Sequence, residues 1–348
     1  MDVRLSPEQQ ALRDSAAQVV DRLGPHAVGE LDDAERAAKL DAAVDASGWR
    51  ELRTATDDGT PWSSAVEAAL VAEELSRGLA DAPYLGPTLA AELRRLAGAP
   101  SAAAPETIGL APDLSDLTCR PAGSPVGSSL AIDARHATSA LVLVPAVGGG
   151  HTVARVTLAD PGGQVDLTRT TVAADPAAAV VPLDGADIFL SPIAETRWTA
   201  LGLALTSAEL VGTMRGAVQL ATDYAKERRQ YGRPIGSFQA VQHLLADALV
   251  AVEGASSVAL HAAWAVDALP ADEALAAGAV AKAYAARAAR SVCETAIQVH
   301  GGIGNTWECL AHVHLRRALL SSDLLGDAGV NLDRVLAHHG IGDARGVR

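Results

Sequence analysis

Aromatic side chains are scarce in this chain: Phe, Trp and Tyr make up 3% of 348 residues, with only two Phe and two Met. A core with so few large side chains must close through aliphatic and small ones. The abundant Ala suits helices packed at short distance. Cysteine is also sparse. Cys119, Cys293 and Cys309 are odd in number and lack metal-ligand spacing, which excludes a disulfide framework and a structural zinc site. They read as reduced packing thiols of a cytoplasmic protein. No uninterrupted apolar run approaches the roughly 18 residues of a membrane span. The opening MDVRLSPEQQ is too polar for a secretory signal. Positive charge is in deficit, with 28 Lys and Arg against 42 Asp and Glu and a formal net charge of −14. That balance excludes a nucleic-acid partner and an anionic membrane surface. Neither a P-loop nor a G-x-S-x-G element is present. Gly301, Gly302 and Gly304 follow a helical pattern rather than a strand, so they are no dinucleotide fingerprint.

What is present reads as a mainly α chain with a small β domain. Ser6, Pro7 and Gln9 form a helix start, and a helix over residues 7–23 stops at Gly24-Pro25. Further helices are expected over residues 33–47 and, with a break at Ala82-Pro83, within 63–96. Residues 1–98 therefore form an all-α N-terminal domain. Over residues 99–198, Pro, Gly, Asp and Thr punctuate short β-branched runs, with strands expected at 139–145, 152–158, 179–183 and 186–190. Helical patterns return over 201–228, 237–269, 274–300 and 308–339, the last breaking near Gly326 or Gly329. Residues 199–340 are thus expected to form a C-terminal four-helix bundle.

The stretch KERRQYGRPIGSFQAVQH, residues 226–243, joins the first two helices of that bundle. Gly232, Pro234 and Gly236 break the helix. Ser237 is placed to cap the next one, whose apolar face is expected to carry Val241, Leu244, Leu245, Ala248 and Leu249. A simple turn has little need of Arg228, Arg229, Arg233, Gln230, Gln239 and Gln242 together. Forked guanidinium groups and amides suit an anionic, hydrogen-bonding ligand such as a diphosphate.

ERRQYGRPIGSFQAVQHLLADAL closely resembles the C-terminal signature of the acyl-CoA dehydrogenase flavoproteins. IQVHGGIGNTWE, residues 297–308, resembles that family's second signature at a compatible spacing. The resemblance implies a helical domain, a middle β domain and a C-terminal bundle. It also implies FAD as cofactor, an acyl-CoA thioester as substrate, and an electron-transfer flavoprotein as electron acceptor. In the family, the bundle contacts a flavin that also touches a neighbouring subunit. Carried over residue by residue, Arg228 falls on the position that holds the flavin diphosphate. Gln230, Tyr231 and Gln239 take the neighbouring motif positions. Gln298, Gly301 and Gly302 match the Q-x-x-G-G element, whose glycines let the backbone approach the ligand.

The departures are as informative. The middle-domain motifs of the type TEPxAGSD and W-I-T/S have no match, so this domain looks reduced. The family's catalytic Glu, aligned through HVHLRRA, falls on Leu325. A second known placement, on the helix before the first signature, falls near Gly202. Neither side chain takes a proton. Glu209, Glu308, Asp323 and Asp327 are nearby carboxylates, and Glu209 and Glu308 are the candidates for a displaced base. His312 and His314 lack the companions of a metal site. The reading is therefore an FAD-dependent acyl-CoA dehydrogenase, resembling the short partner-type subunits of actinobacterial heteromeric enzymes and lacking the usual base. A self-sufficient homo-oligomer with a displaced base, and a non-catalytic scaffold of the same fold, are the alternatives.

Overall fold

Capping chemistry sets the start of the first helices. In the computed structural model, which describes residues 4–341 apart from 118–128, 148, 160–163, 176–177 and 186–187, α1 (Pro7–Leu23) opens with the full Ser6–Gln9 capping box. Asp33 and Ser64 cap α2 (Ala34–Ala46) and α3 (Ala65–Arg77) through their side chains. Helix α4 (Leu85–Leu96) has no side-chain cap of its own. Its first amides are met instead by Asp133 Oδ2, 3.0 Å from Gly86 N. That bond ties the helical lobe to the sheet.

Among the described residues the sheet has seven strands: β1 (Glu106–Leu110), β2 (Leu130–Ala131), β3 (Ser139–Pro145), β4 (His151–Thr157), β5 (Val172–Ala173), β6 (Val181–Pro182) and β7 (Ile188–Leu190). Its order is β5-β2-β1-β3-β4-β6, with β7 also on β4. β1 and β3 run parallel, and the other pairs are antiparallel. β3 and β4 coincide with the β-branched runs. β6 is shorter than the sequence suggests, and β7 covers the described part of the run expected at 186–190, whose first two residues lie outside the described residues. β1 has no alternating signature because all five of its residues are buried. Cys119 lies outside the described residues.

The C-terminal helices are α5 (Pro192–Glu227), α6 (Gln239–Ala268), α7 (Ala271–His300), α8 (Ala311–Asp323) and α9 (Ala328–His338). Helix α5 begins well before residue 201 because Ser191 caps it and Pro192 fits its first turn. It runs through the centre of the molecule and packs on α3, α6, α7 and α8. A Cβ on Gly212 would lie 1.9 Å from Glu73 O, and one on Gly216 2.2 Å from Arg77 O. The α5 and α3 backbones therefore touch, and these glycines permit it.

Two expectations need correcting at α6. Ser237 does not cap it: Phe238 is the cap residue, and Ser237 Oγ donates to Pro234 O at 2.8 Å. The inner face also differs, since Leu244 and Leu249 are 39% and 51% exposed. The bundle instead closes on Ala248, Val252, Ala255 and Ala259, small side chains at helical spacing that allow close approach. By length and mean hydropathy α6 is apolar enough to cross a membrane, which the search for unbroken apolar runs missed. In this fold one of its faces packs on α5 and α7.

Candidate functional site

The end of α5 is built to stop abruptly and expose polar groups. Arg228 leaves helical geometry (φ −66°, ψ 123°). The chain then makes a two-stranded hairpin, β8 (Arg229–Gln230) and β9 (Arg233–Pro234). Tyr231 and Gly232 at its tip both have positive φ, 51° and 77°. This is the hairpin geometry that matches strand twist. The hairpin folds back through Ile235 N donating to Arg228 O at 2.8 Å. Arg233 sits 4.3 Å above the Phe238 ring. Arg228, Gln230, Tyr231 and Gln239 are all exposed. Among the described residues Arg228 has no carboxylate within ion-pairing distance.

Helix α7 ends beside it. Tyr224, one turn from the end of α5, stacks on His300, the last residue of α7, at 4.5 Å. The ring is held by His300 Nδ1, 2.7 Å from Ala296 O. Gly301 then turns the chain with φ 68° and ψ −143°, a conformation open to glycine and costly for other residues. A Cβ on Gly301 or Gly302 would meet nothing within 4 Å. Gln298 is exposed on the last turn. The hairpin and the Gly301-Gly302 turn thus share one end of the bundle. They offer a guanidinium without an internal counter-ion, amides and uncluttered backbone. That donor set fits a nucleotide diphosphate and its flavin.

The positions aligned with the family's base converge elsewhere. Leu325 and Gly202 come from distant parts of the chain, yet a Cβ on Gly202 would lie 2.3 Å from Leu325 Cδ1. Leu325 has φ 60°, is 1% exposed, and donates from its amide to Leu114 O at 2.7 Å. Leu89 and Trp198 are fully buried in the same cluster, and Trp198 Nε1 donates to Leu89 O at 2.8 Å. Hydrocarbon side chains fill this contact.

Glu209 has a different environment. It is buried, with Oε2 2.6 Å from Arg169 Nη2 and Oε1 2.6 Å from Ser321 Oγ. Arg317 Nε is 3.4 Å from Oε1, an electrostatic contact rather than an aligned hydrogen bond. Burial pushes the Glu209 pKa up, but Arg169 and Arg317 overcome it and leave the pKa lowered to about 2. Arg169 Nε lies 2.9 Å from Asp133 Oδ1. Arg317 also reaches Ala80 O and Thr168 Oγ1, at 3.0 and 2.8 Å. Lys282 donates to Ser321 O, and burial lowers its pKa to about 7. This network joins the helical lobe, the sheet and the bundle. Its geometry is that of a fixed counter-ion. Glu308 is exposed in the loop before α8. Asp327 caps α9 at Val330 N. Burial raises the Asp323 pKa. His314 packs in the core, its pKa lowered to about 3 by burial and then Arg317. Arg169, Asp133 and Trp198 carry no local sequence signal, because only tertiary packing gives them partners.

A helical lobe, a small mixed sheet and a helical bundle with exposed arginine, glutamine and glycine residues at one end make up the molecule. Residues 185–339 match the acyl-CoA dehydrogenase C-terminal domain. "Acyl-CoA dehydrogenase IpdE2" of Mycobacterium tuberculosis is 34% identical over 334 residues, covering 91% of this chain and 93% of that protein. The chain belongs to the acyl-CoA dehydrogenase family, whose members are FAD flavoproteins. Among solved structures, the ChsE4-ChsE5 complex from Mycobacterium tuberculosis superposes with a TM-score of 0.77 at 24% identity, covering 98% of this chain and 99% of that one. A Tcur3481-Tcur3483 steroid ACAD variant gives 0.80 at 21% identity, covering 97% and 99%.

Proposed function

We propose that this chain is the flavin-completing, non-catalytic half of a heteromeric acyl-CoA dehydrogenase. The observation that carries this reading is the contact between Gly202 and Leu325. Both positions available to the family's base converge on one point, and that point is dry hydrocarbon. No proton can be taken there from a carbon alpha to a thioester. Glu209, held between Arg169 and Arg317 with both oxygens engaged, serves as a counter-ion. Glu308 lies in an exposed loop. The partner subunit supplies the base and the acyl-CoA pocket.

This chain's contribution lies at the end of the bundle. Arg228 holds the diphosphate, Gln230, Tyr231, Gln239 and Gln298 hydrogen-bond or flank the cofactor, and Gly301 and Gly302 admit it to the backbone. FAD, when bound, supplies the acceptor for the hydride removed from the beta carbon. An electron-transfer flavoprotein then takes the electrons. The similarity of fold to the ChsE4-ChsE5 complex and to a Tcur3481-Tcur3483 steroid ACAD variant supports a heteromer acting on a steroid-derived acyl-CoA. The test is flavin absorbance of the isolated chain, then of the chain coexpressed with candidate acyl-CoA dehydrogenase partners. Flavin and turnover only in the coexpressed complex support the proposal. A homo-oligomer with full flavin and acyl-CoA turnover overturns it in favour of a displaced base. A colourless chain indifferent to every partner overturns it in favour of a scaffold.

A further inference from the structure

The helical lobe and the sheet border a half-open cavity of about 890 Å³ on the face of α4 turned away from Leu325. Pro87 and Ala91 of α4 form one wall, and Ala38 and Ala42 of α2 another. The chain passes from α4 to β1 through an extended, small-residue segment, so no further helix fills this space. The volume lies within the range of small-molecule sites, about 300–1,000 Å³.

The charges around the cavity are unequal in how well they are satisfied. Arg50 is 2.5 Å from Asp41, and Arg94 is 2.8 Å from Asp184 and paired with Glu106. Arg135 differs. Among the described residues its nearest carboxylate is Asp81 Oδ2 at 3.7 Å, and that oxygen is already 2.6 Å from Arg36. The segment presenting Arg135 is held in an unusual shape, with Asp133 and His136 both in the left-handed region at φ 50° and 67°. Asp133 is fixed there by Gly86 N and Arg169. Strain of this kind persists where surrounding structure enforces it, and it clusters at ligand sites.

We propose that this cavity binds an apolar molecule bearing one carboxylate, its hydrocarbon body against Pro87, Ala91 and the α2 alanines and its head on Arg135. The site is independent of the flavin end of the bundle. The test uses the full chain, with dodecanoate and dodecanol as a matched anionic and neutral pair in calorimetric titrations. Ala91 is only half-buried, so Ala91→Phe fills the cavity from its wall, and Ala103→Trp does so from the linking segment if the first variant unfolds. The expected result is saturable dodecanoate binding that either variant abolishes. Arg135→Gln weakens dodecanoate about tenfold and leaves dodecanol unchanged, as loss of one charge-assisted contact predicts. No binding of dodecanoate, or binding unaffected by both filling variants, overturns the site. Equal affinity for acid and alcohol, with no effect of Arg135→Gln, overturns the assigned head group.

Discussion

Replacing Glu209 with Gln separates a structural role from a catalytic one. The carboxylate is 2% exposed. It accepts from Arg169 and Ser321, each at 2.6 Å, and faces Arg317 at 3.4 Å. In Gln, one of those oxygens becomes an amino group directed at hydrogen-bond donors, and two guanidinium groups lose their shared anion. Removing one partner of a buried ion pair costs about 3–5 kcal/mol. Urea unfolding of both proteins at pH 7 should therefore show a loss in that range. The effect must depend on pH with a definite sign. The folded-state pKa, about 2, lies below the ordinary value of 4.5. The stabilisation is thus fully present above about pH 4.5 and fades as the pH falls toward 2. The difference between Glu209→Gln and the parent should shrink through that window. A stability loss below about 1 kcal/mol, with acyl-CoA turnover abolished, would refute the argument and restore Glu209 as the base.

Arg228→Ala should lower flavin retention about tenfold in the assembled enzyme, read from absorbance after dialysis, because one charge-assisted fork is lost. The unfolding midpoint of the isolated chain should not move, since the side chain is exposed and unpaired. Gly301→Ala forces a non-glycine residue to φ 68° and ψ −143°; a destabilisation of about 1–3 kcal/mol and loss of flavin are expected from denaturation and absorbance. Leu325→Glu should not create turnover in a dye-reduction assay of the isolated chain. It should instead destabilise by roughly 2–5 kcal/mol, because it removes core packing and buries a charge.

The local chemistry of this chain determined much of its architecture. The Ser6–Gln9 capping box, the break at Ala82-Pro83, the SALVLVP strand and the helix stop at Gly301 are each decided within a few residues, so they are legible without the fold. The residues proposed to face the flavin could be named from the sequence for the same reason, since they fall in two short segments. Tertiary structure alone decided that Arg228 and Gly301 share one end of the bundle, through the Tyr224–His300 stack. It alone brought Gly202 against Leu325 and gave Glu209 its two arginines. It also turned Leu244 and Leu249 outward, because the alanines of α6 allow closer packing than leucines and took the inner face. Each of these depends on contacts between groups far apart in the chain, whose energies no local pattern records.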